Sequence, residues 1–367
     1  MTKFKAAVLH APNAPVEIEQ VELCGLGPDD VLVKVHAAGV CHTDWEVQQG
    51  AHGAPKPLVL GHEGAGTVAE TGSRVTDRRV GDRVVFTPFA NCGSCFYCRR
   101  SLPILCEPVV TGHRSARLPD GSSRLRLGSQ VLGHFLSISS FAEYAVVPRN
   151  GAVRIPQDMP LDLACLLGCA VITGVGAVTR IADVRVDETV CVVGCGPVGL
   201  NVIQGAKLVG ARNIIAVDPD AGRRNIARIL GATQVIDPLE GNVVSLVREV
   251  TEGRGADHSF ETAGRESALQ TALDASRPGG SVTILGKMEP DAKVGLRFGS
   301  LTGERNIRRS ALGGGRGQDD IPMFARAYLD GRLRLEELVT ARLTLADVNI
   351  GLQGAGSGTA IRTILMM

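Results

Sequence analysis

The chain has 367 residues, more than one hydrophobic core usually serves, so two domains are expected. Its 39 basic and 38 acidic residues nearly cancel and form no charged block, which gives nucleic-acid binding no electrostatic support. The start, MTKFKAAVLHAP, lacks the apolar stretch of a signal peptide, and no run of about 20 apolar residues follows. We therefore expect a cytoplasmic protein with neither a nucleic-acid nor a membrane partner.

The first part of the chain is predicted to be β-rich. KAAVLH, VEIEQVE and DVLVKVHAAGV are β-prone runs divided by Pro, Gly and Asp. Residues 107–135 are polar and include the turn PDGSS, so a long surface loop is predicted there. FAEYAVV predicts a further strand.

Strands and helices alternate from about residue 170. Thr189–Val193 is a continuous apolar strand, Pro197–Leu208 is a helix with Pro197 in its first turn, and Asn213–Val217 is a second strand. The alternation continues through RRNIARILG, TQVID, GNVVSLVREV, ADHSFE, SALQTALDAS, GSVTILG and NIRRSALGG. This pattern predicts a parallel, doubly wound sheet. A helix (IPMFARAYLDG), a short β-like piece (LVTARLTL) and a closing strand (IRTILMM) follow.

The hexapeptide GCGPVG at 194–199 fits the dinucleotide pattern G-x-G-x-x-G. Gly194 permits a tight turn, Gly196 lets the backbone approach a pyrophosphate, and Gly199 lets helix and strand pack closely. Asp218, after the next strand, is placed to accept hydrogen bonds from ribose hydroxyls and to repel a 2′-phosphate, which favours NAD over NADP. A plain strand-to-helix turn with a solvated acid is the alternative.

Four cysteines fall within fifteen residues of the stretch CGSCFYCRRSLPILC. Four thiolates at this spacing predict a closed tetrahedral zinc site that has a structural role, with disulfides or an Fe–S cluster as alternatives. The residues are Cys92, Cys95, Cys98 and Cys106.

Three separated stretches, GVCHTD, GHEGAG and LLGCAVITG, carry further metal-capable residues. Cys41, His62 and Cys169 would supply two thiolates and an imidazole and leave a fourth position open, which suits a catalytic zinc. Spacing alone does not assemble them. Both cysteines could be ordinary buried residues, and His62 a polar residue in a Gly-rich turn.

Taken together, these stretches resemble the zinc-dependent medium-chain alcohol dehydrogenases over nearly the whole chain. GHEGAGTVAETGSRV, the cysteine lobe at 92–106, GCGPVG and the ending IRTILMM carry the resemblance. It implies a GroES-like catalytic domain at 1–169 and a Rossmann coenzyme domain at 170–313. Residues 314–367 would return to the catalytic domain.

The resemblance also implies roles for single residues. Cys41, His62 and Cys169 match the catalytic zinc ligands, Thr43 the hydroxyl that takes the substrate proton, and Asp44 the carboxylate that orients the histidine. Glu63 matches an acid close behind the zinc. The implied coenzyme contacts are the ribose contacts Asp218 and Arg223, the nicotinamide cradle of Thr173, Val198 and Leu312, and the pyrophosphate contact Arg362.

Three positions depart from the pattern of this family. His42 stands where liver-type members carry a pyrophosphate-binding Arg, so looser coenzyme binding is expected. Glu46 stands where those members carry the histidine that passes the proton on, and either Glu46 or His52 could serve instead. Val110 stands where the glutathione-adduct branch carries an Arg, which argues against S-hydroxymethylglutathione as the main substrate.

We therefore predict an NAD-dependent zinc alcohol dehydrogenase with two zinc ions per chain. It would transfer hydride reversibly between a primary or secondary alcohol, bulky or aromatic ones included, and NAD. A thiol-adduct formaldehyde dehydrogenase, an oxidoreductase with tightly bound NAD, and a non-catalytic dinucleotide-binding protein are the alternatives. The resemblance further implies a homodimer or homotetramer.

Overall fold

The computed structural model describes residues 2–289 and 291–367, so Met1 and Pro290 lie outside the described residues. The chain divides into two compact units. The first contains the residues up to Cys169 together with Arg316–Gly331 and Leu335–Met367. The second contains Ala170–Gly315 and Arg332–Arg334. The C-terminal segment thus belongs mainly to the same unit as the N-terminal half of the chain.

Strands and helices are numbered along the chain. The strands are β1 (Lys3–Leu9), β2 (Glu17–Leu23), β3 (Asp30–Val40), β4 (Leu58–Val59), β5 (Glu63–Thr71), β6 (Arg83–Phe86), β7 (Leu125–Leu127), β8 (Gln130–Val131), β9 (Gly133–His134), β10 (Tyr144–Pro148), β11 (Ala152–Arg154), β12 (Thr189–Val193), β13 (Asn213–Val217), β14 (Gln234–Ile236), β15 (Ala256–Glu261), β16 (Ser276–Ile284), β17 (Asn306–Arg309), β18 (Val339–Thr344) and β19 (Arg362–Met366). The helices are α1 (His42–Gln48), α2 (Glu107–Ser115), α3 (Leu161–Ala164), α4 (Ala170–Gly176), α5 (Pro197–Leu208), α6 (Ala221–Leu230), α7 (Val243–Val250), α8 (Glu266–Ala275), α9 (Phe298–Leu301), α10 (Gly317–Leu329) and α11 (Val348–Ser357).

The first unit is built on two mainly antiparallel sheets. One has the order β8-β7-β2-β1-β4-β9, and the other has the order β11-β6-β5-β3-β19-β18 with β10 also paired to β3. Buried Val, Leu, Ala and Phe side chains from both sheets form its hydrophobic clusters. Because β19 pairs with β3, the end of the chain completes this unit.

The second unit is a six-stranded parallel sheet with the order β14-β13-β12-β15-β16-β17. Every residue of β12 is buried, as expected for a central strand covered on both faces. The strand order reverses direction between β12 and β15, and in such sheets ligands bind outside the carboxyl ends of the strands at that point. This is the predicted doubly wound sheet, and β12, α5 and β13 have the predicted bounds.

The prediction for residues 107–135 is wrong. Helix α2 occupies Glu107–Ser115, and three short strands, β7 to β9, follow it. Pro108 lies in the first turn of α2, where a missing N–H costs nothing, so it starts a helix rather than a loop. Helix α11 near the end of the chain was also not predicted.

Among the described residues, no single helix combines the length and apolar composition that crossing a membrane requires. One bent pair, Leu161–Gly168 with Ala170–Ala182, meets the test by length and composition alone. Most side chains of α4, within this pair, are buried, as in the core helix of a globular protein.

Candidate active site and metal centres

In the first unit, the pairing of β3 with β5 and with β19 brings residues that are distant in the sequence to one place. β3 ends at Val40 and β5 starts at Glu63, and the antiparallel pair aligns Gly39 with Glu63. Continued by one residue, this register puts His62 opposite Val40 and therefore close to Cys41, the residue that follows β3. On the other edge of β3, Thr363 pairs with Val40, which places Arg362 opposite Cys41.

Cys169 completes the group from a third segment. It follows the 3₁₀ turn Cys165–Gly168, which packs so closely on β6 that a Cβ on Gly168 would lie 2.1 Å from the Phe86 carbonyl oxygen. The ligand atoms of Cys41, His62, Glu63 and Cys169 all lie within 4.8 Å of one another. Two thiols and an imidazole form a donor set suited to a catalytic zinc.

Asp44 orients two of these residues. It is fully buried, and its Oδ2 accepts the Cys41 backbone N–H at 2.9 Å, which caps α1. Its Oδ1 lies 3.0 Å from His62 Nδ1. The geometry therefore assigns the Nδ1 proton to this bond and leaves Nε2 of His62 for a metal ion.

The thiol of Cys41 loses its proton more readily than an ordinary cysteine thiol. A hydrogen bond from Cys169 holds the pKa of Cys41 well below its usual range in spite of burial, and Arg362 and His62 lower it further. Burial alone would lower the pKa of His62, but Asp44 raises it well above its usual value. A cation at this place would meet a thiolate, which is the form of cysteine that ligates zinc.

Glu63 and Arg362 form a buried pair behind the cysteines. Glu63 Oε1 lies 3.2 Å from Arg362 Nη2, and Arg362 also donates to the Val40 carbonyl at 2.8 Å. Burial raises the pKa of Glu63 to about 7, although Arg362 opposes this. A Cβ on Gly39 would lie 2.3 Å from Glu63 Oε2, so the carboxylate needs glycine there. The predicted pyrophosphate contact of Arg362 stays a prediction.

A second group of four thiols lies in the lobe at 92–106. The sulfur atoms all lie within 4.8 Å of one another. Backbone N–H groups of Cys92 and Cys95 donate to the sulfurs of Cys106 and Cys92, each at 3.3 Å. Four thiolates surround one tetrahedral ion and leave no position for a substrate, so this donor set fits a structural zinc. The residues are Cys92, Cys95, Cys98 and Cys106.

A chain of polar contacts joins His42 and Glu46 of α1 to His52 of the following turn. Thr43 is half-buried in the first turn, next to Cys41. Glu46 lies between two histidines, with its Oε2 3.1 Å from His52 Nε2 and its Oε1 3.8 Å from His42 Nε2. His42 Nδ1 donates to the Ala355 carbonyl at 3.1 Å. Since the His42 and His52 side chains are 52% and 41% exposed, the chain reaches the surface of the first unit.

The Gly-rich loop lies at the carboxyl end of β12, as predicted. Gly194 has φ +103°, which favours glycine, and a Cβ on Gly199 would lie 1.9 Å from the Gly194 carbonyl oxygen. Among the described residues, apart from Gly196 and its two chain neighbours, no atom lies within 4 Å of the place where a Cβ on Gly196 would be. The loop is therefore packed tightly at Gly194 and Gly199 and open at Gly196, which fits a pyrophosphate. Pro197 starts α5.

Asp218 follows β13 and is nearly buried. Its Oδ2 accepts the Cys195 N–H at 2.7 Å and its Oδ1 the Asp220 N–H at 2.9 Å. Arg223 Nη1 lies 4.0 Å from Asp218 Oδ2. The two predicted ribose contacts are thus neighbours at the edge of the Gly-rich loop.

The residues predicted to cradle the nicotinamide also meet, within the second unit. A Cβ on Gly174 would lie 2.6 Å from the Val198 carbonyl oxygen, which puts Thr173 beside the start of α5. A Cβ on Gly313 would lie 2.3 Å from the Thr173 carbonyl oxygen, so the turn containing Leu312 rests on α4.

Sequence reasoning named Glu63 and Arg362 separately but missed the contact between them, and it missed Thr262. The Glu63–Arg362 pair could not be found, because it depends on the pairing of β19 with β3. Thr262, which contacts the Gly-rich loop, could have been found from its place directly after the fourth strand of the unit, ADHSFE.

Two family models match the chain. The model described as alcohol dehydrogenase GroES-like domain matches residues 27–157, and the model described as zinc-binding dehydrogenase matches residues 197–328. Together they cover more than half of the chain. The chain therefore belongs to the zinc-dependent medium-chain dehydrogenases, and it is a zinc-dependent alcohol oxidoreductase by family.

Named relatives align along their whole length. The chain is 37% identical to the NDMA-dependent alcohol dehydrogenase of Amycolatopsis methanolica, with 99% of each chain covered. It is 35% identical to an S-(hydroxymethyl)glutathione dehydrogenase of Escherichia coli, again with 99% of each covered. The benzyl alcohol dehydrogenase of Acinetobacter calcoaceticus has a similar structure, with a TM-score of 0.94, 31% identity and 100% of both chains covered. Family dehydrogenases use NAD or NADP.

Proposed function

We propose that the protein is an NAD-dependent zinc alcohol dehydrogenase, which oxidises a primary or secondary alcohol, bulky and aromatic ones included, and reduces the corresponding carbonyl compound. The grouping of Cys41, His62 and Cys169, with His62 oriented by Asp44, carries the proposal. The structural relative that is named a benzyl alcohol dehydrogenase supports the aromatic class.

Each residue of the site has a role in this proposal. Cys41 and Cys169 would hold the ion through their thiolates, and His62 would hold it through Nε2. When bound, the zinc ion lowers the pKa of an alcohol O–H, and NAD accepts the hydride. Glu63 lies against the ligands, and its pairing with Arg362 keeps this carboxylate compensated in a buried place. The thiols of the lobe at 92–106 would hold a second, structural zinc.

We assign the path of the proton to Thr43, Glu46 and His52. Thr43 accepts the substrate proton at its hydroxyl. Glu46 lies on the same helix and bonds to His52, whose side chain is 41% exposed and can release the proton to water.

In the variant Glu46→Gln this proton path should be interrupted, so kcat should fall by about 10²-fold while the zinc content stays unchanged. Glu17→Gln, at an exposed site on β2, is the control, and an unchanged kcat in Glu46→Gln would refute the path.

The preference for NAD over NADP rests on Asp218. Its carboxylate can accept hydrogen bonds from ribose hydroxyls and repels a 2′-phosphate. Arg224, the cation next along the chain from Arg223, is already engaged by the Asp218 carbonyl and Asp237, both at distances within 2.8 Å. Comparison of kcat/KM for NAD and NADP tests this preference, and faster turnover with NADP would overturn it.

A thiol-adduct formaldehyde dehydrogenase is the second candidate, because the Escherichia coli relative carries that name at 35% identity. Against it, Val110 lies on α2 where that branch has an arginine, and the neighbouring Arg117 donates to the Leu132 carbonyl at 3.3 Å. A panel of aliphatic, allylic, benzylic and thiol-adduct alcohols, read as NADH formation, tests the main proposal. Turnover of S-(hydroxymethyl)glutathione alone would reject it in favour of this candidate.

A third candidate keeps its NAD bound and needs an added acceptor, as the name of the NDMA-dependent relative suggests. Purified protein should be denatured and assayed for released NAD. One NAD per chain, with alcohol oxidation only when NDMA is added, would favour this candidate.

We also propose a cytoplasmic homodimer or homotetramer. All ten cysteines lie within the described residues and none forms a disulfide, which suits a reducing compartment. Sedimentation of the purified protein tests the assembly, and a monomer would refute it.

A further inference from the structure

One peptide group of the Gly-rich loop is held from both sides. Its carbonyl, from Gly194, accepts the Thr262 hydroxyl at 2.6 Å, and its N–H, from Cys195, donates to Asp218 Oδ2 at 2.7 Å. Thr262 follows β15 and Asp218 follows β13, the two neighbours of β12 in the sheet. The orientation of this single peptide plane is therefore fixed by side chains from both adjacent strands.

The Thr262 hydroxyl fits against the loop closely. A Cβ on either Gly194 or Gly199 would lie 2.8 Å from Thr262 Oγ1. The oxygen thus occupies the space that these two glycines leave. A valine would keep the shape of threonine at this place but would give the Gly194 carbonyl no donor.

Thr262 is itself firmly placed. Its backbone N–H donates to the Val193 carbonyl at 2.9 Å. The next two N–H groups, from Ala263 and Gly264, donate to Oε1 of the buried Glu261 at 2.8 and 2.6 Å. The segment after β15 is therefore anchored independently of the Gly-rich loop, so it can serve as a fixed support for that loop.

We propose that Thr262 is a positioning residue of the coenzyme site, acting through the Gly194–Cys195 peptide. By fixing the carbonyl, it keeps the Cys195 N–H aimed at Asp218 and so holds that carboxylate where it can receive the adenosine ribose. The same bond fixes the path of the backbone into Gly196, the open position of the loop. This inference rests on the coenzyme function proposed above.

The test compares variants of the complete enzyme. Thr262→Val removes the hydroxyl and keeps the branched shape, whereas Thr262→Ser keeps the hydroxyl. Thr251→Val is the matched control, because Thr251 also lies in the second unit and its hydroxyl also donates to a backbone carbonyl, that of Val247, at 2.7 Å. NADH and ADP-ribose are the probes, titrated at equilibrium, and KM and kcat are measured with a good alcohol substrate.

In Thr262→Val, the Kd for NADH and the KM for NAD should rise about 3- to 10-fold, as expected for loss of one neutral hydrogen bond. The Kd for ADP-ribose should rise by the same factor, because the affected contacts serve the adenosine half. The KM for alcohol and kcat should stay within about twofold, and Thr262→Ser should restore wild-type affinity. Thr251→Val should lower the Tm and leave the Kd for NADH unchanged.

An unchanged Kd for NADH in Thr262→Val would overturn the inference. So would an equal loss of NADH affinity in Thr251→Val, since that would make the effect one of general stability. If Thr262→Val does not fold, Thr262→Ala replaces it with the same expected results. A wild-type protein that binds neither NADH nor NADPH would instead refute the coenzyme function itself, so the two failures are distinguishable.

Discussion

At the scale of single residues, Asp44 links the metal site to the backbone. One oxygen caps α1 through the Cys41 N–H and the other fixes His62. Because both bonds reach the segments that carry the ligands, one carboxylate determines the position of one ligand and the tautomer of another. A buried carboxylate in this place is compensated by a histidine proton and a backbone donor.

We expect Asp44→Asn to weaken the site while preserving its shape. The amide can offer an N–H to His62 Nδ1 instead of accepting one, which favours the wrong tautomer for zinc. Loss of such a partner typically costs about 10- to 100-fold in metal affinity or activity. Zinc content under a competing chelator and kcat/KM measure this. Asp162→Asn, which alters an exposed pair with Arg342, is the control, and equal effects in both variants would contradict the assignment.

His134 should make the stability of the first unit fall in acid. It is fully buried, and burial, followed by Arg124 and Arg117, lowers its pKa to about 3. Its Nε2 accepts the Arg124 backbone N–H at 3.1 Å, so protonation would break this bond. Below about pH 6.5 the unfolded chain takes up a proton that the folded chain refuses, so stability is lost as the pH falls, by about 1.4 kcal/mol per unit.

The His134→Gln variant should show a smaller decrease. Urea unfolding midpoints at pH 7, 6 and 5 would measure the difference from the wild type, with His10→Gln, at a more exposed histidine of the same unit, as the control. Parallel pH profiles for His134→Gln and the wild type would contradict the expectation.

At the scale of elements, prediction from sequence succeeded where the signals are local. β12, α5 and β13 have their predicted bounds because a continuous apolar run, Pro197 and the glycines mark each boundary. Helix α2 was missed because the polar composition of residues 107–135 and the turn PDGSS suggested one long loop, although Pro108 is tolerated in the first turn of a helix. The proximity of Cys41, His62 and Cys169 could not be predicted from local sequence signals. It depends on the register of β3 with β5 and on the turn before Cys169.

The lobe at 92–106 is an element with little regular structure of its own. It contains two short 3₁₀ turns, and Phe96, Leu102 and Leu105 are exposed. A segment with so few buried apolar side chains needs a metal ion to hold it, since the binding free energy of zinc is then also folding free energy.

The Cys98→Ser variant should therefore lose one of two zinc ions per chain and unfold at a lower temperature. Metal analysis of purified protein and thermal unfolding would show this. Cys24→Ser is the matched control, because Cys24 is exposed and lies outside both groups of thiols. Two zinc ions in Cys98→Ser would show that these thiols are not the site.

At the scale of the whole molecule, the two kinds of chemistry are divided between the two units. The metal-capable residues Cys41, His62 and Cys169 all belong to the first unit, and the Gly-rich loop and Asp218 belong to the second. Each site is built by hydrogen bonds and register within its own unit. Damage to one site should therefore leave the ligand affinity of the other nearly intact.

The variant Cys41→Ala tests this independence. Alcohol-dependent NADH formation should fall by at least about 10²-fold, because the ion loses a thiolate ligand. The Kd for NADH should stay within about threefold of the wild-type value. The residues predicted to contact the adenosine half of the coenzyme lie in the second unit, with the exception of Arg362 and His42. Conversely, Asp218→Ala should raise the KM for NAD by about tenfold and improve the relative use of NADP, while zinc content stays at the wild-type value. If Cys41→Ala lost NADH affinity as strongly as activity, the metal group would be needed for the coenzyme site, and the division of function between the two units would be wrong.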